Sequence, residues 1–334
     1  MAWLRSVRPM RLNSPQPVRA LIATFLVLFA VISANSESLW PLKFQTISLT
    51  NAKPAITIEL AYRADTSPRH PAILMLGSVR SNALPPWSTN LLNEGYMLAA
   101  FSADRPPDPD PARRPQWLFF DQRFAHSYVE GGLHAPDDAG RVIDFLQARG
   151  DVGKIGWVGS SSTGIPGLAV ATREPRLAAI VAFVSTGAYA QWLETWHSNR
   201  LWRDKTNDLW PETKALLPKV DPILHVDKMF PCAVLMVSGG DDKVVDPKTA
   251  RAFINAARPF YKDDPDRLRL VIYEGFGHNL PIDIVQMYIE HWLHLYMSPT
   301  DAAPAPERAA KTLEESATRT SITGADHKKI MHAK

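Results

Sequence analysis

The sequence predicts an α/β protein built on a mostly parallel central β-sheet, with helices on both faces. Three observations predict it. Short, continuous apolar runs such as Ala72-Ile73-Leu74-Met75-Leu76 and Ala233-Val234-Leu235-Met236-Val237 read as strands buried on both sides. Segments with apolar residues at helical spacing alternate with those runs. Glycines fall where the runs stop, at Gly77, Gly159 and Gly239-Gly240. In open sheets of this kind ligands collect at the carboxyl ends of the strands, so this punctuation marks where a site is expected.

The elements follow in order. Ile56 to Tyr62 alternates apolar and polar residues, the pattern of a half-buried antiparallel strand. Ala72–Leu76 is a buried strand. Leu91-Leu92-Asn93-Glu94-Gly95 reads as a helix end with a glycine cap, and Tyr96–Phe101 as the next strand. Asp137-Asp138 opens a helix whose apolar face is Val142, Ile143, Phe145 and Leu146. Strands follow at Ile155–Val158, Ala178–Val184, Ala233–Val237 and Leu268–Tyr273, and Trp292 with its neighbours closes a last helix. Residues 186–231 are too long for a simple crossover and read as a helical, cap-like insertion over the strand ends. They hold Tyr189, Trp192, Trp196, Trp202 and Trp210. Of these, Trp192, Trp196 and Trp202 are candidates to line a substrate pocket. An ordinary helical layer that packs its tryptophans on the core is the alternative.

The two ends differ from this middle, which spans residues 40–298. Residues 1–36 carry Arg5, Arg8, Arg11 and Arg19 but no acid, followed by the apolar run Ala20–Ile32 and the small residues Ser33, Ala34 and Ser36. That is the layout of a secretory signal peptide, and the run is short for a membrane span, which needs about 20 apolar residues. A secreted or periplasmic protein is expected, with an uncleaved membrane anchor over residues 20–34 as the alternative. Residues 299–334 hold no aromatic residue and few large aliphatics, the composition of a disordered tail.

Of the 334 residues, 46% are hydrophobic and 21% charged, as in ordinary globular proteins. Loss of residues 1–36 would turn a formal charge of +3 into 33 basic residues against 34 acidic ones. A near-neutral chain of this kind carries no electrostatic footprint for nucleic acid. The single cysteine, Cys232, rules out an intramolecular disulfide and a cysteine-based zinc site, and reads as a small buried hydrophobe. His291 and His294 lie three apart on the last helix, but the pattern fits a packed or solvated helix face better than a metal site. No metal and no organic cofactor is expected.

Three stretches carry chemistry. The first is Gly159-Ser160-Ser161-Ser162-Thr163-Gly164, after the strand Ile155–Val158. It fits a nucleophile elbow, a strained strand-to-helix turn that lifts a serine hydroxyl above the sheet edge and needs small residues around it. In one register Ser161 is the nucleophile, in another Ser162, flanked by Ser160 and Gly164. Gly159, which directly ends the strand, favours Ser161. Thr163 stands where a second small residue is usual, and its β-branch is expected either to crowd the turn or to change the register. The second stretch is Ser238-Gly239-Gly240-Asp241-Asp242, where Asp242 stands at the sheet's carboxyl edge within reach of an imidazole. The third is Gly275-Phe276-Gly277-His278, a histidine on a glycine-bracketed loop after the last strand.

A serine, an acid and a histidine in that order, each just after a strand in the second half of the sheet, follow the chain order of α/β-hydrolases. Over residues 45–298 the chain resembles that superfamily. It is similar to the serine hydrolases around dienelactone hydrolase and prolyl oligopeptidase in HAPDDAGRVIDFLQARGDVGKIGWVGSSSTG, DPILHVDKMFPCAVLMVSGGDDKVVDP and DPDRLRLVIYEGFGHNLP. The resemblance implies a carboxylesterase-like serine hydrolase acting on a small-molecule ester or a peptide through an acyl-enzyme. Ser161 would be the nucleophile, His278 the general base and Asp242 the residue that holds the imidazole. The backbone N–H groups of Ser162 and Ser78 would form the oxyanion hole. Where the family often has His-Gly before that donor, this chain has Leu76-Gly77. A peptidase of prolyl-oligopeptidase type and a non-catalytic binding protein on the same fold are the alternatives.

Overall fold

The computed structural model describes residues 41–51, 53–63, 69–105, 110, 121–197 and 209–298. The expected signal or anchor segment, Trp202 and the tail 299–334 lie outside the described residues. Among the described residues no helix is long and apolar enough to cross a membrane.

The apolar runs become strands: β1 (Leu42–Leu49), β2 (Ile56–Arg63), β3 (His70–Leu76), β4 (Met97–Ala103), β5 (Val152–Ser160), β6 (Leu177–Phe183), β7 (Ala233–Gly239) and β8 (Leu268–Tyr273). They form one sheet in the order β1-β2-β4-β3-β5-β6-β7-β8. The β1–β2 and β2–β4 pairs are antiparallel, and every pair from β4–β3 to β7–β8 is parallel. The antiparallel character expected of the opening strands is therefore present. β1 itself is mostly exposed, which is why its residues carry little apolar signal.

The helices are α1 (Thr89–Asn93), α2 (Gln122–Ala148), α3 (Gly164–Ala171), α4 (Tyr189–His197), α5 (Pro211–Val220), α6 (Pro247–Ala257) and α7 (Ile282–Met297). α2, α3 and α6 bury Val142, Leu168 and Phe253 in the core on one face of the sheet. α1 and α7 bury Leu91, Leu92, Trp292 and Leu293 on the other. Two covered faces explain why β5, β6 and β7 read as unbroken apolar runs.

α2 corrects the expectation of a helix opening at Asp137-Asp138. It starts at Gln122, where the Asp121 carboxylate accepts from the backbone N–H groups of Arg123 at 3.1 Å and Phe124 at 3.2 Å. A proline followed by two acids has the composition of a helix start, because proline is tolerated in the first turn. Here Pro136 lies inside the helix, and burial of Phe124, Ala125 and Val129 holds the turns before it. Asp138 caps nothing, and instead receives Arg105 at 2.5 Å from the end of β4.

Among the described residues, 186–231 contain α4 and α5. α4 is tied down at its start by the buried Asp221, which accepts from the N–H groups of Tyr189 at 2.8 Å and Ala190 at 2.9 Å. Burial raises the pKa of this carboxyl, and the two amides oppose the shift.

Candidate active site

The sequence GSSSTG folds into a tight turn between β5 and α3. Ser161 has φ of 50°, a left-handed conformation that a side chain with a Cβ adopts only under constraint. The constraint comes from both sides. A methyl group built on Gly159 would stand 2.4 Å from the Thr163 carbonyl oxygen, and one on Gly164 would stand 2.2 Å from the Ser185 hydroxyl. Both glycines are therefore required by close approach. The small residue expected at position 163 is needed one place later.

Thr163 does not crowd the turn. Its hydroxyl accepts from the Ser160 N–H at 2.9 Å and donates to the Ser160 carbonyl at 3.0 Å, so the β-branched side chain closes the loop on itself. The Trp157 indole, from β5, donates to the Thr163 carbonyl at 3.0 Å. Beneath the turn, Val184 is also left-handed, with φ of 41°, and the Ser185 hydroxyl donates to the Phe183 carbonyl at 2.6 Å.

The structure brings the three sequence candidates together. His278 Nε2 lies 2.9 Å from Ser161 Oγ, and His278 Nδ1 lies 2.8 Å from Asp242 Oδ2. These contacts place Ser161 rather than Ser162 against the imidazole. The other Asp242 oxygen accepts from the N–H groups of Val244 at 2.8 Å and Val245 at 3.0 Å. The Asp242 side chain is fully buried and that of His278 is 11% exposed, so the pair sits away from water while Ser161 remains partly open. A carboxylate so held accepts from one imidazole nitrogen and leaves the other to face the hydroxyl.

Backbone contacts knit the acid and histidine loops together. Gly240 donates to the Tyr273 carbonyl at 2.7 Å and Asp241 to the Phe276 carbonyl at 2.8 Å.

The remaining candidates are placed as follows. Ser162 is exposed beside Ser161, and its side chain lies near that of Tyr128 of α2. Burial raises the Tyr128 pKa, with Ser162 acting in the opposite direction. Ser78 follows β3, the strand beside β5. The two strands pair in parallel as far as Leu74 and Trp157, so the loops that carry Ser78 and Ser161 leave the sheet at the same carboxyl edge. Trp192 and Trp196 are 2% and 1% exposed and pack with Phe124, Ile165 and Val245. Both indoles donate to the Val244 carbonyl, at 2.9 Å and 2.6 Å. The expectation that these two line a pocket is corrected: they are core residues under the acid loop. Among the described residues no group of three or more His, Cys, Asp or Glu is placed to hold a metal ion. On α7, His294 instead meets Glu94. His291 is partly buried, and its pKa is lowered by burial and by the nearby Arg269 and His294.

No family model matches the chain. A curated protein of Bacillus subtilis (strain 168), "Putative esterase YitV", is 26% identical over 214 residues, which is 62% of this chain and 83% of that protein. Among solved structures, the acylaminoacyl peptidase of Pyrococcus horikoshii superposes with a TM-score of 0.59 at 12% identity, over 86% of this chain and 45% of its own. A puromycin-hydrolyzing peptidase of Mycobacterium tuberculosis superposes with a TM-score of 0.55 at 14% identity, over 78% of this chain and 39% of its own. The chain thus spans less than half the length of either peptidase. The chain has the α/β-hydrolase fold.

Three residues around the loops of Ser161 and Ser78 are not apparent in the sequence. Tyr128 lies in the part of α2 before Asp137, where the sequence predicts no helix. Ser185 follows β6, where Gly187 marks a turn but nothing in the sequence ties the serine to the loop that carries Ser161. Glu59 of β2 accepts from the Val79 N–H at 2.7 Å, and its alternating pattern gave it the look of a solvent-facing strand residue. Thr57 and Glu59 occupy equivalent half-buried places in that pattern, so the sequence carries no signal that singles Glu59 out.

Proposed function

We propose that the protein is a serine hydrolase that cleaves a carboxylic ester through an acyl-enzyme. The observation that carries this reading is the Ser161–His278–Asp242 hydrogen-bond relay on a left-handed elbow serine. His278 takes the proton from Ser161 Oγ as the oxygen attacks the acyl carbonyl, then returns it to the departing alkoxide. Asp242 fixes the imidazole tautomer and stabilises the imidazolium. Water repeats the sequence on the acyl-enzyme and releases the acid. The N–H groups of Ser162 and Ser78 receive the oxyanion, each worth roughly 3 kcal/mol in the transition state.

The similarity to the Bacillus subtilis protein supports the ester as substrate. A second reading, an amide or peptide bond as substrate, draws on the fold shared with the Pyrococcus horikoshii and Mycobacterium tuberculosis peptidases. The same relay serves both, so the leaving group is the difference to measure. In the proposal the protein works outside the cytoplasm, with residues 1–36 as its export signal. N-terminal sequencing of the exported product distinguishes a cleaved signal from a retained anchor.

The deciding experiment is labelling with a fluorophosphonate probe, with the modified residue mapped by mass spectrometry. The expected result is a label on Ser161 that disappears in His278→Ala. A folded protein that takes no label overturns the enzymatic reading and leaves a binding protein on a hydrolase fold. A labelled protein is then offered p-nitrophenyl esters and p-nitroanilides of the same acyl groups. Faster turnover of the anilides would favour the peptidase reading.

A further inference from the structure

The loop after β3 is held on both sides of Ser78. Before it, Gly77 has φ of 119°, a turn that favours glycine, and its N–H donates to the Phe101 carbonyl of β4 at 3.2 Å. After it, the Val79 N–H donates to Glu59 Oε2 at 2.7 Å. Among the described residues no acceptor engages the Ser78 N–H itself.

Glu59 reaches this amide from two strands away. It belongs to β2, and its cross-strand partner on β4 is Ala100. Ala100 pairs in turn with Met75, next to the end of β3. Ala100 is fully buried between the two strands. The Glu59 side chain is 15% exposed, and its other oxygen stands 3.7 Å from the Arg80 guanidinium, which is itself largely exposed. An exposed ion pair of that length adds little. A carboxylate bound to a backbone N–H in a partly dry site is the stronger interaction.

We propose that Glu59 is the positioning residue for the oxyanion hole. It takes the Val79 N–H out of play and fixes the peptide that precedes it, so that the Ser78 N–H stands ready beside Ser161. The inference rests on the serine-hydrolase reading above. Glu59 does not touch substrate and acts through Ser78. Its contribution is therefore to the charge that develops in the transition state, not to binding of the neutral ester.

The test compares three variants on p-nitrophenyl butyrate, each checked for folding by circular dichroism. Glu59→Ala removes the acceptor. Glu59→Gln keeps an oxygen for the Val79 N–H. Glu59→Met fills the same space over Ala100 without accepting, and carries the test if the alanine variant fails to fold. The expected result is a fall in kcat of about 100-fold for Glu59→Ala and Glu59→Met, the scale of one lost oxyanion donor, with KM within about twofold of wild type. Glu59→Gln is expected to keep kcat within about fivefold of wild type. Fluorophosphonate labelling of Ser161 separates the two levels of failure. A wild type that neither labels nor turns over overturns the hydrolase reading and this inference together. A labelled wild type whose alanine and methionine variants keep full kcat overturns this inference alone. So does a loss confined to KM, or a glutamine variant as slow as the alanine one.

Discussion

Gly239, at the end of the strand that leads to the acid, lies so close to Gly277 that a methyl group on it would stand 2.1 Å from the Gly277 carbonyl oxygen. The two loops that carry Asp242 and His278 meet at a point where no side chain fits. Gly239→Ala must push them apart. The expected cost is about 1–3 kcal/mol of stability, with a fall in kcat larger than the loss of stability explains. Urea denaturation alongside turnover measures both.

Asp242 has two duties on its two oxygens, and they can be separated. Asp242→Asn retains an oxygen for the Val244 and Val245 amides while it disturbs the imidazole tautomer. A near-native unfolding midpoint with kcat lowered about 10⁴-fold is expected. Asp242→Ala also leaves two backbone N–H groups without acceptors, at about 1–3 kcal/mol each where they are buried. Only the alanine variant should show a markedly lower Tm.

Thr163 is expected to be replaceable by serine but not by valine. Serine keeps the hydroxyl that bridges the Ser160 N–H and carbonyl, whereas valine keeps the shape and loses both bonds. The predicted loss for Thr163→Val is about 1–2 kcal/mol, with slower fluorophosphonate labelling of Ser161. A valine variant that labels at the wild-type rate would show that the hydroxyl does not hold the elbow.

Trp192 and Trp196 are expected to act on the acid loop through the Val244 carbonyl. Trp196→Ala should cost about 3–5 kcal/mol by opening a cavity. The double change of Trp192 and Trp196 to phenylalanine keeps most of the packing and removes both donors. Its kcat should fall while KM holds, because the acid loop rather than a substrate pocket is disturbed.

Cys232 is buried, and burial pushes its thiol pKa up to about 12. Iodoacetamide at pH 8 should leave it unmodified in the folded protein and alkylate it in urea, as intact-mass measurement would report.

Much of this was legible in the sequence, for physical reasons that also mark the limits. Ser161 and Asp242 each follow a strand buried on both faces, and a run of that kind ending in glycine is a strong local signal; His278 follows the half-buried edge strand β8, and the glycines that bracket it are its signal. The start of α2 was not legible, because Pro136-Asp137-Asp138 carries the composition of a helix start in the middle of a helix. Trp192 and Trp196 were ambiguous: an indole in an insertion looks the same whether it faces a ligand or the core. Glu59 was illegible because its meaning lies in a partner 20 residues away, reached across a third strand.

His278 and Ser161 are 117 residues apart in the chain, and the histidine follows β8, the edge strand of the sheet. The hydroxyl belongs to the sheet's interior and the imidazole to its margin. Edge strands open locally at lower free energy than central ones. Fraying of β8 would withdraw the imidazole while β5, β6 and β3 stay paired, leaving a molecule with native secondary structure and, on the proposed function, an inert serine. On gentle heating, loss of turnover should therefore come before loss of helix and sheet signal, and hydrogen exchange at Val271 and Ile272 should follow the lost activity.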